Sequence, residues 1–131
     1  MKKDIEIPEV KDVYVAAVNE YNETYLSQDW TAYIINNTNT LIEMVIVVSK
    51  GYDGNKETST MRHGIGIVPA KSFKKIEFLP EDLLKLTNEF SVSYFAENKL
   101  HQKKFIFNKG AIKLKDVKKI PIINNKGILA K

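Results

Sequence analysis

The segment Thr58-Ser59-Thr60-Met61-Arg62-His63 concentrates most of the chain's usable chemistry. It gathers three hydroxyls, the only arginine and one of two histidines, just before Gly64 and Gly66. An arginine fork recognises carboxylate or phosphate, and nearby hydroxyls donate to the same oxygens. Thr58, Ser59, Thr60, Arg62 and His63 are therefore the candidate binding residues. The plainer reading is a solvated edge strand whose arginine pairs with a local acid. Catalysis finds less support. Ser59, His63 and Asp53 can be written as a triad, but there is no nucleophile elbow and no evident oxyanion loop. On a strand, Ser59 and His63 would share a face yet lie roughly 13 Å apart, beyond hydrogen-bond reach. No catalytic residue is assigned, and the expectation is a protein that is not an enzyme.

Metal and cofactor chemistry is equally thin. His63 and His101 stand 38 residues apart, without the close spacing of a ligand set. The absence of cysteine removes thiolate nucleophiles, disulfides, zinc ribbons and cluster ligation. His63-Gly64-Ile65-Gly66 lacks the Lys-Ser/Thr ending of a phosphate loop, so its glycines read as a strand bulge. No metal and no cofactor is expected. Trp30, Tyr21, Tyr25 and Tyr52 could form a sugar platform, but a buried Trp between sheets is the more common use of that residue.

Charge supplies the main clue to partners. Residues 1–98 carry ten Lys/Arg against fifteen Asp/Glu, a net of −5, whereas residues 99–131 carry ten lysines against Asp116 alone, a net of +9. Lysines can touch phosphate backbones; on sheet edges they also discourage aggregation. Lys99, Lys103 and Lys104 are expected to pair across strands with Glu89 and Glu97.

The elements that must position these residues are strands. Val10–Val18 reads as a first strand with Val13, Val15 and Ala17 on one face, and Asn19–Gln28 as a polar loop. Trp30–Ile35 and Leu41–Ser49 flank Asn36-Asn37-Thr38-Asn39-Thr40 and read as an antiparallel hairpin. Its first arm sets Trp30, Ala32 and Ile34 against Thr31, Tyr33 and Ile35. Its second sets Ile42, Met44, Ile46 and Val48 against Leu41, Glu43, Val45 and Val47, apolar enough for a central strand covered on both faces for part of its length. Glu57–Val68 holds a further strand, Ser72–Leu79 another with an irregularity between Phe73 and Ile76. Pro80-Glu81-Asp82 opens a short helix, since proline and acids suit a first helical turn. Glu89–Ala96 and Lys103–Phe107 form a second hairpin around Glu97-Asn98-Lys99. The stretch after Gly110 reads as a short amphipathic helix ended by Pro121, or as an extended tail.

These readings give an all-β fold: an immunoglobulin-like sandwich of about seven strands with one short helix, or alternatively a small β-barrel. Residues 1–109 make the sandwich domain and residues 110–131 a basic C-terminal segment docking on it. The N-terminus has two lysines but no apolar run of signal-peptide length, and Met44–Val48 is far too short to span a bilayer, so a cytoplasmic protein without membrane contact is expected.

At VYVAAV, WTAYIINNTNTLIEMVIVVSKGY, TSTMRH and FSVSYF the chain resembles a small family of bacterial β-domain proteins of unknown function, some labelled phenylalanyl-tRNA synthetase subunit. The likeness covers nearly the whole chain. More distantly, VYVAAV followed by WTAYIINNTNT is similar to the N-terminal domain of mismatch-repair-like proteins that end in a Smr nuclease domain, over about the first half. The resemblance implies a β-domain but assigns no functional residue. Class II synthetase catalysis needs motif arginines for ATP, and Arg62 stands alone. The expected function is a binding or adaptor domain, acting on protein through a sheet edge, the Thr58–His63 segment or a homodimer. The alternative is a nucleic-acid accessory module using the basic C-terminal region.

Overall fold

The computed structural model describes residues 8–131. The reading of the N-terminus as free of a signal peptide falls on residues 1–7 and lies outside the described residues. In chain order the elements are β1 (Val13–Asn22), β2 (Ser27–Asn36), β3 (Ile42–Asp53), β4 (Lys56–Glu57), β5 (Met61–Val68), β6 (Ser72–Leu79), α1 (Glu81–Leu84), β7 (Thr87–Ala96), β8 (Lys99–Phe107) and β9 (Gly127–Leu129), with one 3-10 turn at Leu114–Asp116. No helix among the described residues is long and apolar enough to cross a membrane.

The chain is all-β. Four strands form one antiparallel sheet in the order β6-β2-β1-β9, and five form a second, β4-β3-β7-β8 with β5 also on β3. The inward faces follow period two. Val13, Val15 and Ala17 of β1 and Trp30, Ala32 and Ile34 of β2 meet Val45 and Val47 of β3 and Phe90, Val92 and Tyr94 of β7 in one buried cluster. Phe105 and Phe107 of β8 complete it, Phe107 edge-on to Phe90 with ring centroids 5.8 Å apart. Each of the valine, isoleucine and phenylalanine side chains contributes about 1.5–3 kcal/mol on burial.

The link Asn36–Thr40 is not a hairpin turn. β2 pairs with β1 and β6, and β3 with β4, β5 and β7, so the link carries the chain from one sheet to the other. Asn36 is fully buried there, and its Nδ2 donates to the carbonyls of Thr40 (2.9 Å), Val68 (3.1 Å) and Pro69 (3.0 Å). Its Oδ1 accepts from the Thr38 amide and hydroxyl. One amide thus ties the crossover to the β5–β6 turn and leaves β2 and β3 to pack face to face. The true first hairpin is β1–β2, whose ladder runs out to Asn22 and Ser27. The polar stretch read as a loop holds two strand ends and a turn at residues 23–26, capped where Asn22 Oδ1 accepts from Thr24 and Tyr25.

Phase breaks once in β3. Met44 sits at φ 51°, and the pairing slips on both sides of it. Ile42 therefore shares the inner face with Val45 and Val47, while Met44 is exposed. The slip is matched on β5, where Val45 opposes Gly66 (φ +84°) and Ile46 opposes Gly64, leaving Ile65 as the extra residue. The irregularity in β6 falls at Ile76, between the pairs Ala32↔Glu77 and Tyr33↔Lys75. At the β7–β8 turn Glu97 and Asn98 both take positive φ, 52° and 62°, as a two-residue type I′ hairpin requires.

The C-terminal region docks as an extended strap. β9 adds to β1, and Ile120 and Ile123 bury with Ala16, Val18, Tyr33 and Ile35 on the outer face of the first sheet. The strands covered on both faces are therefore β1 and β2, not β3, whose outward Ile46 and Val48 are only half-buried.

Candidate functional site

The six-residue segment read as a site is divided by its own strand. Thr58 is structural: its amide donates to Gly51 O (2.8 Å) and its hydroxyl accepts from Gly51 N (2.8 Å), closing the loop between β3 and β5. Ser59 lies beside it, exposed. Thr60 and Arg62 are also exposed, and Arg62 stands opposite Val48 on the outer face of the second sheet, with no ion pair among the described residues. His63 pairs with Val47 and faces inward. No acid among the described residues pairs with Arg62, whereas an acid from another strand pairs with His63.

That acid is Glu77. It sits opposite Ala32 on the inner face of β6, and its side chain is only 10% exposed. Glu77 Oε1 lies 2.8 Å from His63 Nε2 and also accepts from the Ser49 hydroxyl. A carboxylate between sheets is costly unless hydrogen-bonded or paired. Here His63 from β5 and Ser49 from β3 meet it from the opposite sheet, so the cluster clamps the sandwich along its β5–β6 side. The arrangement differs from a catalytic triad. Glu77 receives both partners, and His63 does not lie between the serine and the acid. Asp53 plays no part with His63: it pairs with Lys109 at 2.7 Å, and that ammonium holds its carboxyl below the usual range.

Beside the clamp is a cavity of about 180 Å³ lined by Ser49, Gly51, Thr58, Ser59, Met61, Glu77, Leu83 and Asn88, together with Lys50. The structure thus brings Thr58 and Ser59 to one cavity, places His63 behind Glu77, and sends Arg62 to the opposite side of the sheet. Glu77 and Ser49 escape a sequence reading. Strict alternation through Ile76 and Phe78 would put Glu77 on the opposite face from Ile76, and only the bulge at Ile76 lets Ile76 and Glu77 both turn inward.

A second feature lies on the far side of the molecule. β8 is the last strand of its sheet, and among the described residues its outer edge is occupied at Ile106. Ile106 N donates to Lys131 O and Lys131 N donates to Ile106 O, each at 3.0 Å. Backbone direction alternates along a strand, so Leu100, Gln102 and Lys104 present N–H and C=O to the same edge. No strand or loop among the described residues pairs with them there. Lys104 reaches Glu89 at 3.7 Å, and Lys103 Nζ lies 4.8 Å from the Phe105 ring centroid. Glu97 sits in the turn and takes no ion pair among the described residues. His101 stacks on Tyr94 with centroids 4.8 Å apart. Of the ten lysines from Lys99 onward, only Lys104 and Lys109 form ion pairs among the described residues. The basic segment is thus far from neutralised by the acidic body.

The four aromatics considered as a sugar platform are scattered. Trp30 is in the core, Tyr21 and Tyr25 are exposed near the β1–β2 turn, and Tyr52 leans towards Glu89 on the second sheet. Burial, with no charge at hand, pushes Tyr94 up to about 12; burial and the Glu20 carboxylate raise Tyr33 well above the usual tyrosine value. No protein-family model matches the chain, and no curated protein matches it significantly.

Proposed function

We propose that this is a non-enzymatic protein-binding domain of immunoglobulin-like type that recognises an extended segment by strand addition to the open edge of β8. The Lys131–Ile106 pair carries this reading: the edge already accepts the first step of an added strand from the chain's own Lys131, with both ladder hydrogen bonds formed. Three residues further along that edge stand ready for the same bonds. Strand order supports the immunoglobulin-like type. β1-β2-β6 on one side and β5-β3-β7-β8 on the other follow the A-B-E and C′-C-F-G arrangement of such sandwiches.

Charge argues about the partner. Pairing two copies of β8 would gather six lysines, Lys99, Lys103 and Lys104 from each, along one seam, and like charges across strands are destabilising. An extended segment rich in Asp and Glu meets the same lysines favourably. Selection from a display library of random extended peptides tests this. Acidic, β-prone sequences should emerge, and bound peptide should slow amide exchange at Leu100, Gln102 and Lys104. Selected peptides that protect none of these amides would overturn the assignment.

The lysines without ion pairs support a second reading, a nucleic-acid accessory surface in the cytoplasm. It requires binding of DNA or RNA that weakens steeply with salt. Absence of binding at low ionic strength would remove it.

A further inference from the structure

We propose that the inter-sheet cavity at Glu77 is a binding site for a small primary alkylammonium ion. Half of the Glu77 carboxylate is unused. Glu77 is about nine-tenths buried, yet both its hydrogen bonds, from Ser49 and His63, fall on Oε1. Oε2 takes no hydrogen bond among the described residues. It is not sealed off either, since no fully buried side-chain oxygen lacks a partner there. Glu77 lines the cavity, and Oε2 is the oxygen of this carboxylate left with capacity for a donor placed there.

No lysine or arginine among the described residues pairs with Glu77. Lys50 borders the cavity, but its Nζ lies 3.8 Å from Glu57 and 5.9 Å from the Tyr52 ring centroid, away from Glu77. Arg62 stands on the other face of β5. The rest of the lining selects the kind of cation. The Ser59 hydroxyl makes no hydrogen bond among the described residues and can accept from a ligand N–H, while Met61 and Leu83 supply an aliphatic wall. One carboxylate with hydroxyls and no second acid is a poor set for a divalent metal, which takes several oxygen ligands. It suits an ammonium, which has three donors and an apolar stem. A space of about 180 Å³ holds a short alkyl chain but not a peptide. Thr58 and Ser59 are then site residues by position, and His63 positions Glu77 without touching the ligand.

A ligand this small binds weakly, with Kd on the order of 1 mM. The test is titration of the full chain with n-butylammonium, followed by amide chemical shifts, with n-butanol and butyrate as isosteric controls. Saturable shifts centred on Ser49, Ser59 and Met61 are expected for the ammonium, with at least about tenfold weaker responses to both controls, as loss of one charge-assisted hydrogen bond implies. Glu77→Gln keeps the shape and should abolish the preference for ammonium over alcohol. Ser59→Leu narrows the mouth without touching Glu77 and should weaken binding while leaving the clamp intact. Equal responses to ammonium and alcohol, non-saturable shifts, or an ammonium preference that survives Glu77→Gln would each overturn the proposal. The comparison of three ligands on the unaltered chain decides the matter even if a variant fails to fold.

Discussion

Replacing Gly127 by alanine isolates the contact on which the C-terminal strap depends. Gly127 pairs with Val18 at the start of β9, and a Cβ there would lie 2.7 Å from the carbonyl oxygen of Ala17. Ile120 Cδ1 at 3.1 Å and Val18 Cγ2 at 3.3 Å crowd the same point. The backbone angles at Gly127 are ones any residue adopts, so the effect reports close approach alone. Carbon and carbonyl oxygen sit at about 3.3 Å or more when they touch, so β9 must withdraw by roughly half an ångström. The obstacle is backbone in the middle of a ladder, which cannot swing aside as a side chain would. Overpacking of this kind costs about 1–3 kcal/mol, or a fall in Tm of about 3–10 °C for a domain of this size. Thermal unfolding followed by circular dichroism and by Trp30 fluorescence measures it, and hydrogen exchange at Ile106 shows whether the Lys131 pair is lost with the strap. A Tm within about 1 °C of the parent chain would refute the claim that β9 packs at backbone contact on β1.

Other outcomes follow from single residues. Asn36→Ala leaves three carbonyls and the Thr38 donors without their partner; a loss of about 2–3 kcal/mol is expected in urea denaturation, with m unchanged. Tyr33 and Tyr94 have raised values in the folded chain, Tyr94 at about 12. Their neutral forms are therefore favoured by folding, and stability is full below the unfolded value of about 10 and falls as pH rises above it. Absorbance at high pH should show these two ionising only as the fold is lost. Lys104→Ala removes an ion pair whose lysine is exposed and whose partner Glu89 is largely covered; stability should fall by about 1 kcal/mol, as chemical denaturation would show.

Much of this fold is written in local pattern. The inward faces of β1, β2 and β7, the short helix after Pro80 and the β7–β8 hairpin follow from alternation and turn chemistry. What is not legible is pairing. Five residues between β2 and β3 can fold as a hairpin or as a crossover, and the choice rests on the Asn36 amide reaching Val68 and Pro69, more than thirty residues away. The strand ends Asn19–Asn22 and Ser27–Asp29 were hidden because they extend past the core and need no apolar side chains. The site was half-visible for the same reason. Hydroxyls beside Arg62 and His63 mark a polar edge, but the acid that organises it comes from β6 and is turned inward by a one-residue bulge. The edge of β8 cannot be read locally, because an edge is defined by what fails to pair with it.

The strand-addition reading is tested most directly by Gln102→Pro. Gln102 N–H points to the open side of β8, and proline on an edge strand removes that donor without disturbing the ladder to β7. Affinity for a selected acidic peptide, measured by calorimetry beside the melting temperature, should fall at least about tenfold with little change in Tm, since an added strand loses a ladder bond and meets a ring in its path. Binding at full strength by a folded Gln102→Pro chain would contradict recognition at this edge.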